Sequence, residues 1–352
     1  MLKQTKVAAL KALKVAGAFS LMRDSRWRQD RLLILCYHGI SLDDEHHWRP
    51  ALYMAPTQLE TRLSLLKAGG YNVLLLGEAL QRLQAGSLPQ RSVAITFDDG
   101  TYDFYRRAYP LLRRYGFPVT VYQTTYYSDH QLPVFNLMCS YLLWKQRGKM
   151  LSGGSAIGLD DQLDLRAEAG RQQIVRKLIA MAEERGLSGQ EKNEIARDLA
   201  SVVGVDYDDL ASRRLLHVMK PEEVKELAVE GVDFQLHTHR HRTPRDRSLF
   251  QREIRENRDR LTQLTGKVAS HFCFPSGVYD RQFLPWLSEE GVQSATTCDV
   301  GMVTSKDEPL LLPRFIDTTR RSDVEFESWL TGVGDLLAVR RAATQRYIPP
   351  PD

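Results

Sequence analysis

The sequence lacks the features that would anchor it in a membrane or stabilise it with disulfide bonds. No apolar run reaches the length of about 18 residues that a membrane-spanning helix needs. The chain has four cysteines, but no Cys-x-x-Cys pair and no zinc-finger spacing. The apolar neighbours of cysteines such as Cys36 and Cys273 predict buried, free thiols and a reducing, cytoplasmic location.

The chain also has little excess of one charge. Its formal net charge is +4, with a pI near 8.8, and no lysine or arginine run alternates with aromatic residues. Nucleic acid is therefore not an expected partner. No internal repeat and no low-complexity tract is present. With 352 residues, 43% hydrophobic and 26% charged, the composition is that of a globular protein with one large core or two domains.

Basic residues punctuate the N-terminus. Lys3, Lys6, Lys11 and Lys14 interrupt an Ala/Leu/Val-rich stretch, so no apolar segment is long enough for a secretory signal. We expect a basic helix or arm over residues 1–30. It would lie on the protein surface or in peripheral contact with the anionic inner face of a membrane.

The rest of the chain alternates apolar runs with amphipathic segments, which predicts an α/β fold with a parallel sheet, consistent with a (β/α) barrel. The predicted strands cover residues 32–37, 71–76, 92–97, 118–124, 232–236, 270–274 and 294–297. The predicted helices cover residues 56–68, 77–84, 105–115, 163–185, 190–203, 221–230, 250–266 and 283–290.

One internal stretch, residues 128–216, breaks this alternation because it is polar, charged and helical in pattern. We predict that it is a helical insertion or lid. The barrel would then be formed by residues 31–127 and 217–320, and a C-terminal helix and tail would occupy residues 321–352.

Two adjacent carboxylates follow the predicted strand 92–97. Residues 96–100 read Thr-Phe-Asp-Asp-Gly, so an apolar run stops at Asp98 and Asp99. Carboxylates this close repel each other and need a proton or a cation to share. The pair is therefore either a solvated turn or a functional site.

Histidines follow two other predicted strands. Residues 237–241 read His-Thr-His-Arg-His, and His38 follows the strand that ends at Tyr37. Ligands of α/β sheets and barrels bind beyond the carboxyl ends of the strands. Two histidines and one carboxylate would leave metal positions open for water and substrate, as in catalytic sites, and the second carboxylate would be free to act as a base. A polar loop with incidental histidines is the alternative.

The two motifs, in this order, resemble those of the polysaccharide deacetylases with NodB homology, carbohydrate esterase family 4. The resemblance extends from about Leu32 to Phe315, with residues 96–100 matching the family's first motif and residues 237–241 its H-[ST]-x-x-H motif. It implies a distorted seven-stranded (β/α) barrel. It also implies a hydrolase that removes acetyl groups from N-acetylated sugars of a polysaccharide or glycan precursor.

The resemblance also implies roles for matching residues. Asp98 is implied as the catalytic base, and Asp99, His237 and His241 as ligands of one divalent metal ion, usually Zn²⁺, with Co²⁺, Ni²⁺ or Mn²⁺ as alternatives. His239, between the two ligands, is not expected to bind the metal. Supporting roles are implied for Thr238, for a backbone N–H near Tyr102 that would hold the oxyanion, and for Pro275 and Gly277 of the third motif.

Two positions depart from the common pattern of the family. The third motif usually carries an arginine that orients the catalytic aspartate, and the matching residue is Cys273. Arg314 is a candidate replacement. The usual C-terminal histidine acid has no match, but residues 37–40, Tyr-His-Gly-Ile, resemble an N-terminal Y-H-x-[IVL] motif of the deacetylases of biofilm polysaccharides. This implies that His38 is the general acid; a buried core histidine is the alternative.

The substrate is less closely defined by the sequence. Tyr126 and Tyr127, at the entry to the predicted insertion, are possible sugar contacts, although packing of the insertion would explain them equally well. We expect an N-acetylated glycan or a lipid-linked sugar. An O-acetyl esterase or another hydrolase of C–N bonds would use the same chemistry. A non-catalytic glycan-binding protein is the third alternative, and only the missing third-motif arginine supports it.

Overall fold

Short strands that run in the same direction form the central sheet of this computed structural model, which describes residues 2–338. The strands are β1 (Leu33–Tyr37), β2 (Gly39–Ile40), β3 (Tyr53–Met54), β4 (Asn72–Leu74), β5 (Ser92–Phe97), β6 (Thr120–Gln123), β7 (Met150–Leu151), β8 (Leu163–Asp164), β9 (Asp233–Leu236), β10 (His271–Cys273), β11 (Ser294–Thr296) and β12 (Phe315–Ile316).

Seven of these strands form a curled sheet in the order β11-β10-β9-β6-β5-β1-β12, and β4 pairs with β5 beside this path. Every pairing in the sheet is parallel. All residues of β1 and β5 are buried, as expected for parallel strands covered on both faces. The predicted seven-stranded α/β barrel architecture is therefore confirmed.

Helices surround the sheet and connect its strands. They are α1 (Leu2–Val15), α2 (Ala18–Arg23), α3 (Arg26–Gln29), α4 (Glu45–Trp48), α5 (Pro56–Ala68), α6 (Leu76–Gln84), α7 (Tyr109–Tyr115), α8 (Tyr126–His130), α9 (Phe135–Lys145), α10 (Glu168–Glu184), α11 (Gly189–Val203), α12 (Tyr207–Ser212), α13 (Pro221–Val229), α14 (Arg247–Thr265), α15 (Phe283–Glu289), α16 (Asp323–Thr331) and α17 (Val333–Leu337). No helix within residues 2–338 is both long and apolar enough to cross a bilayer.

The described chain divides into two compact units. Among the described residues, the barrel unit contains residues 2–100, Phe104–Thr125 and residues 221–338, and the helical unit contains Thr101–Asp103 and Tyr126–Lys220. In the helical unit, α9 packs against α10 and α11. The start of α11 is fixed by a capping box, in which Ser188 and Glu191 exchange hydrogen bonds.

Helix α6 fills one end of the barrel. Leu76, Ala79 and Leu83 pack in one buried cluster with interior strand residues such as Ile34 and Tyr122. The N–H of Leu76 donates to Thr120 Oγ1 at the start of β6, so α6 lies at the amino ends of the strands. Helix α6 therefore does not cover the opposite, carboxyl ends of the strands.

The N-terminal segment, expected to be a basic helix or arm, is helical and packs on the barrel unit. Leu10 and Phe19 are buried against Val324 and Val333 of α16 and α17. Arg28 is fully buried and donates hydrogen bonds to the carbonyls of Leu330 and Ser92. Its five donors need partners when buried, so these contacts fix the segment to the barrel unit.

Several other boundaries differ from the predictions. The helix predicted at 105–115 starts as a π-helix, Phe104–Ala108, because Pro110 has no N–H to continue a regular α-helical ladder from the preceding turn. Residues 163–164 form β8 rather than the start of α10. Strand β12 has two residues, too few to produce a periodic signal. Residues 339–352 of the predicted tail lie outside the described residues.

Candidate active site

The carboxyl ends of β1, β5 and β9 bring together the residues that the motifs predicted. His38 follows β1, the Asp98–Asp99 pair follows β5, and His237 follows β9. The N–H of Asp98 donates to the carbonyl of Tyr37 at 2.9 Å, which ties the ends of β5 and β1 together. These residues therefore lie at the same edge of one sheet, at the carboxyl ends of its strands.

Asp98 is buried and held by an arginine. The Arg314 nitrogens Nη1 and Nη2 donate to Asp98 Oδ1 and Oδ2 at 2.7 and 2.8 Å, a bidentate pair between two buried side chains. Burial alone would raise the pKa of Asp98, but the guanidinium of Arg314 outweighs it and lowers that pKa to about 2. Asp98 is therefore ionised at neutral pH.

Arg314 reaches Asp98 across the small side chain of Cys273. Its Nε donates to the carbonyl of Thr297 at 3.0 Å, and its Nη2 lies 3.2 Å from Cys273 Sγ. Cys273 Sγ is itself 3.4 Å from Asp98 Oδ2. Arg314, which follows β11 in the chain, thus contacts the Asp98 carboxylate. It does so beside Cys273, the position at which the resemblance implies the usual arginine.

His38 lies on the open side of the same carboxylate. Its Nε2 is 3.6 Å from Asp98 Oδ2, and its side chain is 18% exposed, whereas that of Asp98 is 3% exposed. The thiol of Cys36 approaches the same oxygen at 3.6 Å from inside the barrel. An imidazole that is partly open to solvent and close to a fixed carboxylate can exchange protons with a substrate.

Asp99 faces the other way, between two histidines. Its Oδ1 is 3.1 Å from His237 Nε2 and 3.1 Å from His241 Nε2. Burial acts to raise the pKa of Asp99, but the two imidazoles lower it well below its usual range. Two nitrogens and one oxygen therefore converge on a single point.

The orientation of His237 suits a metal ligand. Its Nδ1 lies 2.9 Å from the carbonyl oxygen of Cys273, which can only accept, so Nδ1 carries the proton. Nε2 then presents its lone pair toward Asp99. Metal-binding histidines commonly use their second nitrogen in this way, because it fixes both the tautomer and the ring.

The donor atoms of Asp99, His237 and His241 lie within 4.8 Å of one another, and this set fits a divalent cation. Two overlapping groups, one with Cys36 and one with Cys273, include Asp98 instead. They fit less well because Arg314 already occupies both oxygens of Asp98. Burial also raises the pKa of both thiols well above its usual value, so they stay protonated.

The backbone at the two motifs adopts a conformation that is rare outside glycine. Asp99, Thr238 and His241 have φ values of 70°, 60° and 56°. Such residues cost free energy of order 1–3 kcal/mol each and cluster at functional sites. Gly100 also has a positive φ, of 70°, and the Gln123 amide lies where its Cβ would be, so only glycine fits there.

Helix α14 supports the histidine loop through two buried polar residues that the sequence analysis did not identify. Asn257 accepts a hydrogen bond from the N–H of His237 and donates to Thr125 Oγ1. Glu253 accepts from the N–H of Arg240. Their spacing in the sequence could have indicated that they are buried. Residues four apart share one helix face, and this face of α14 also carries buried apolar residues.

The other residues of the two motifs lie around this centre. Thr238 Oγ1 accepts from the N–H of Arg242 at 3.0 Å. His239 points away, with Nδ1 2.8 Å from Thr125 Oγ1. Pro275 and Gly277 form a short 3₁₀ turn, and the thiol of Cys298 occupies the space where a Cβ of Gly277 would lie.

Three predicted residues belong to the helical unit. The N–H of Tyr102 donates to the carbonyl of His217 at 2.8 Å. The N–H of Tyr102 itself is thus engaged, and an oxyanion donor near Tyr102 stays a prediction. Tyr126 and Tyr127 are half-buried and pack edge to face, with ring centroids 5.4 Å apart. Their contact with a sugar stays a prediction.

Comparison with known families agrees with this geometry. The polysaccharide deacetylase family matches residues 85–160 and 195–295, which together make up half of the chain. The second segment contains the histidine motif, and the first contains the two aspartates. This chain belongs to the polysaccharide deacetylase family.

Two relatives are poly-β-1,6-N-acetyl-D-glucosamine N-deacetylases. The protein from Escherichia coli K12 is 25% identical over 100 residues, which are 28% of this chain and 15% of the relative. The protein from Staphylococcus aureus MSSA476 is 37% identical over 67 residues, which are 19% of this chain and 23% of the relative. The chain thus matches less than a quarter of the length of either protein.

Solved structures show the same fold. The deacetylase PplD from Streptococcus pyogenes, in complex with acetate, superposes with a TM-score of 0.57 at 18% identity, over 86% of this chain and 98% of that protein. IcaB from Ammonifex degensii superposes with a TM-score of 0.54 at 16% identity, over the same shares. Identities this low support the barrel fold alone.

Proposed function

We propose that this protein removes acetyl groups from the N-acetylated sugars of a polysaccharide or glycan precursor. One observation carries the proposal: two adjacent carboxylates have different partners, Asp98 with Arg314 and Asp99 with two histidines. One carboxylate is placed to accept a proton and the other to hold a cation. Metal-assisted hydrolysis of an amide needs this separation of roles.

Asp99, His237 and His241 would hold one divalent metal ion. Two imidazoles and a carboxylate suit Zn²⁺, with Co²⁺, Ni²⁺ or Mn²⁺ as alternatives. When bound, the ion would supply Lewis-acid polarisation of the acetyl carbonyl and a lowered pKa for a water molecule. The remaining chemistry belongs to side chains of the chain itself.

Asp98 is the proposed base. Arg314 keeps it ionised and fixes both of its oxygens, yet a carboxylate has about four lone-pair sites, so acceptor capacity remains for a water proton. His38, on the open side of the same carboxylate, is the proposed acid. As water adds to the acetyl carbon and the C–N bond breaks, Asp98 takes a proton from the water and protonated His38 gives one to the departing amine. The products are acetate and an amino sugar.

The relatives support the class of substrate. Both named relatives act on poly-β-1,6-N-acetyl-D-glucosamine. We therefore propose a glycan that contains N-acetylglucosamine, either as a polymer or as a lipid-linked precursor. Tyr126 and Tyr127 are proposed sugar contacts.

The alternative of a non-catalytic glycan-binding protein rested on the missing arginine at position 273. The bidentate contact of Arg314 with Asp98 removes this support. An O-acetyl esterase or another C–N hydrolase would use the same residues, so the choice of substrate separates these activities.

Acetate release from a panel of substrates tests the proposal. The panel contains chito-oligosaccharides, β-1,6-linked N-acetylglucosamine oligomers, lipid-linked N-acetyl sugars and matched O-acetylated sugars. We expect release from at least one N-acetylated substrate, its loss after exhaustive chelation and its recovery with Zn²⁺. Release from O-acetylated sugars alone would replace the N-deacetylase with an esterase. Activity that survives chelation would contradict the metal site.

A further inference from the structure

The outward face of helix α1 is apolar, although it faces solvent. Leu10 and its neighbours bury one side of the helix against α16. The opposite side carries Ala8, Ala12 and Val15, all exposed, and Val15 is 90% exposed. The solvent face of a surface helix is normally charged. Here apolar side chains lie on the exposed side of the helix as well as on the buried side, which indicates that water is not the only partner of the exposed side.

The lysines of the helix lie elsewhere. Lys6 and Lys14 flank the buried side and pair with Glu325 and Glu327 of α16, at 3.4 and 2.6 Å. These pairs orient the helix on the barrel unit. As a result, α1 cannot rotate to bury its alanines and Val15 without breaking both pairs and exposing Leu10.

The helices that follow α1 in this part of the barrel unit also expose apolar side chains. Leu21 of α2 is 77% exposed, and Leu336 and Leu337 of α17, which packs against α2, are 56% and 59% exposed. The same segment of the chain has two exposed cations, Lys11 and Arg26, that form no ion pair with another residue of the described chain. We call the surface formed by Ala8, Ala12, Val15, Leu21 and Leu336–Leu337 the N-terminal face.

Basic residues are concentrated in the N-terminal segment of the chain. Residues 1–31 contain eight basic and two acidic residues, whereas residues 32–352 contain slightly more acidic than basic ones. A membrane with anionic lipids attracts such a cluster, and aliphatic side chains beside the cations can enter the headgroup region. A protein partner would be expected to meet aromatic anchors instead, and the N-terminal face has only aliphatic side chains.

We propose that the N-terminal face docks this protein on a bilayer that contains anionic phospholipids. The inference goes beyond the deacetylase activity and does not depend on it. Arg28, in the same N-terminal segment, contacts the carbonyl of Ser92 at the start of β5, whereas Asp98 follows the other end of that strand. Docking would therefore leave the carboxyl ends of the strands accessible to a glycan.

Vesicle sedimentation of the full chain tests the proposal. We expect binding to vesicles of phosphatidylcholine and phosphatidylglycerol, weak binding to phosphatidylcholine alone, and a decrease at high salt. The variant Val15→Glu/Leu21→Glu places two anions on the N-terminal face and should weaken binding at least about tenfold. Acetate release by this variant should be unchanged.

Val229→Glu is the matched control. Val229 is 89% exposed, almost the same as Val15, but it lies at the end of α13, which carries several glutamates. This variant should bind vesicles within about twofold of the unsubstituted chain. Equal losses in the two variants, or no preference for anionic vesicles, would overturn the proposal. A dimer in solution that Val15→Glu dissociates would overturn it as well, because the face would then be a subunit contact.

Discussion

Two arginine–aspartate pairs are buried in the barrel unit, and the pKa values of their two carboxyl groups are shifted in opposite directions. Arg314 lowers the pKa of Asp98 to about 2. The second pair joins Arg62 of α5 to Asp317, which follows β12, and there burial raises the pKa of Asp317 to about 6 despite the arginine. Both arginines are fully buried, so burial of the cation does not explain the difference.

The arginine contacts differ between the pairs, and His38 and His237 also lower the pKa of Asp98. Arg314 directs two nitrogens at the two oxygens of Asp98. Arg62 contacts Asp317 through Nε alone, at 2.8 Å, and gives its other N–H groups to Asp323 and to the carbonyl of Arg321. A guanidinium shared among three acceptors offsets less of the cost of burying one carboxylate. The bidentate arginine thus offsets the cost of burying Asp98, and the shared arginine offsets only part of the cost of burying Asp317.

Removal of Arg314 should have the largest effect on activity. In Arg314→Ala, Asp98 loses both N–H donors and its compensating charge, and we expect kcat to fall about 100- to 1000-fold. The pKa of Asp98 should also rise, so the acid limb of the kcat/KM profile should move to higher pH. Assays of acetate release between pH 4 and pH 9 would show both effects.

Two controls separate this role from folding. Arg314→Lys keeps a cation and should fold better than Arg314→Ala, which can lose about 3–5 kcal/mol of stability. Arg62→Ala breaks the other pair and should lower the free energy of unfolding while kcat changes little. An unshifted pH profile in folded Arg314→Lys and Arg314→Ala would contradict a positioning role for this arginine.

The pH dependence of stability should distinguish the two aspartates. A raised pKa in the folded state means that Asp317 contributes full stability below its unfolded pKa of about 4, and that this contribution is lost as pH rises through about 6. Asp317→Asn removes this loss. Relative to the unsubstituted chain, the variant should therefore gain about 2–3 kcal/mol between pH 4 and pH 7 in urea unfolding.

Asp98 should behave in the opposite way. Its lowered pKa gives stability that is present above pH 4 and lost as pH falls toward 2. Asp98→Asn should therefore show no comparable gain between pH 4 and pH 7. The same change in both variants over that range would mean that the two pairs do not differ.

An exchange of arginines should give the smallest effect. Cys273→Arg alone would put a second cation into a filled, buried space and should destabilise the chain. In Cys273→Arg/Arg314→Ala the new arginine occupies the position common in the family, and the space of Arg314 becomes free. We expect about tenfold recovery of kcat over Arg314→Ala, because only part of the bidentate geometry is restored. No recovery would mean that position 273 cannot take over this role.

The sequence predicted those parts of the molecule that rest on local patterns. Strand β5 was predicted with its observed bounds, because a β-branched and apolar run ends at Asp98. The convergence of Asp99 with His237 followed from a general rule on the carboxyl ends of parallel strands. Arg314 was a candidate through the family pattern, but its contact with Asp98 spans 216 positions and no local period encodes it.

Other features escaped prediction for related reasons. Strand β12 is two residues long and exists because β1 pairs with it. Asn257 looks like an ordinary polar residue of an amphipathic helix until the fold places it under the N–H of His237. The N-terminal segment was expected to be a basic helix or arm, and the sequence did not show that Leu10, Phe19 and Arg28 attach it to the barrel unit. Tertiary contacts decide such cases.

The central claim is that the adjacent carboxylates Asp98 and Asp99 have separate roles. The most direct test is the zinc content of purified Asp98→Asn and Asp99→Asn, measured together with acetate release. We predict that both variants lose turnover, that Asp98→Asn retains about one metal ion per chain, and that Asp99→Asn retains much less, because it lacks one of three ligands. Equal metal content in the two variants, or full turnover in Asp98→Asn, would contradict the account.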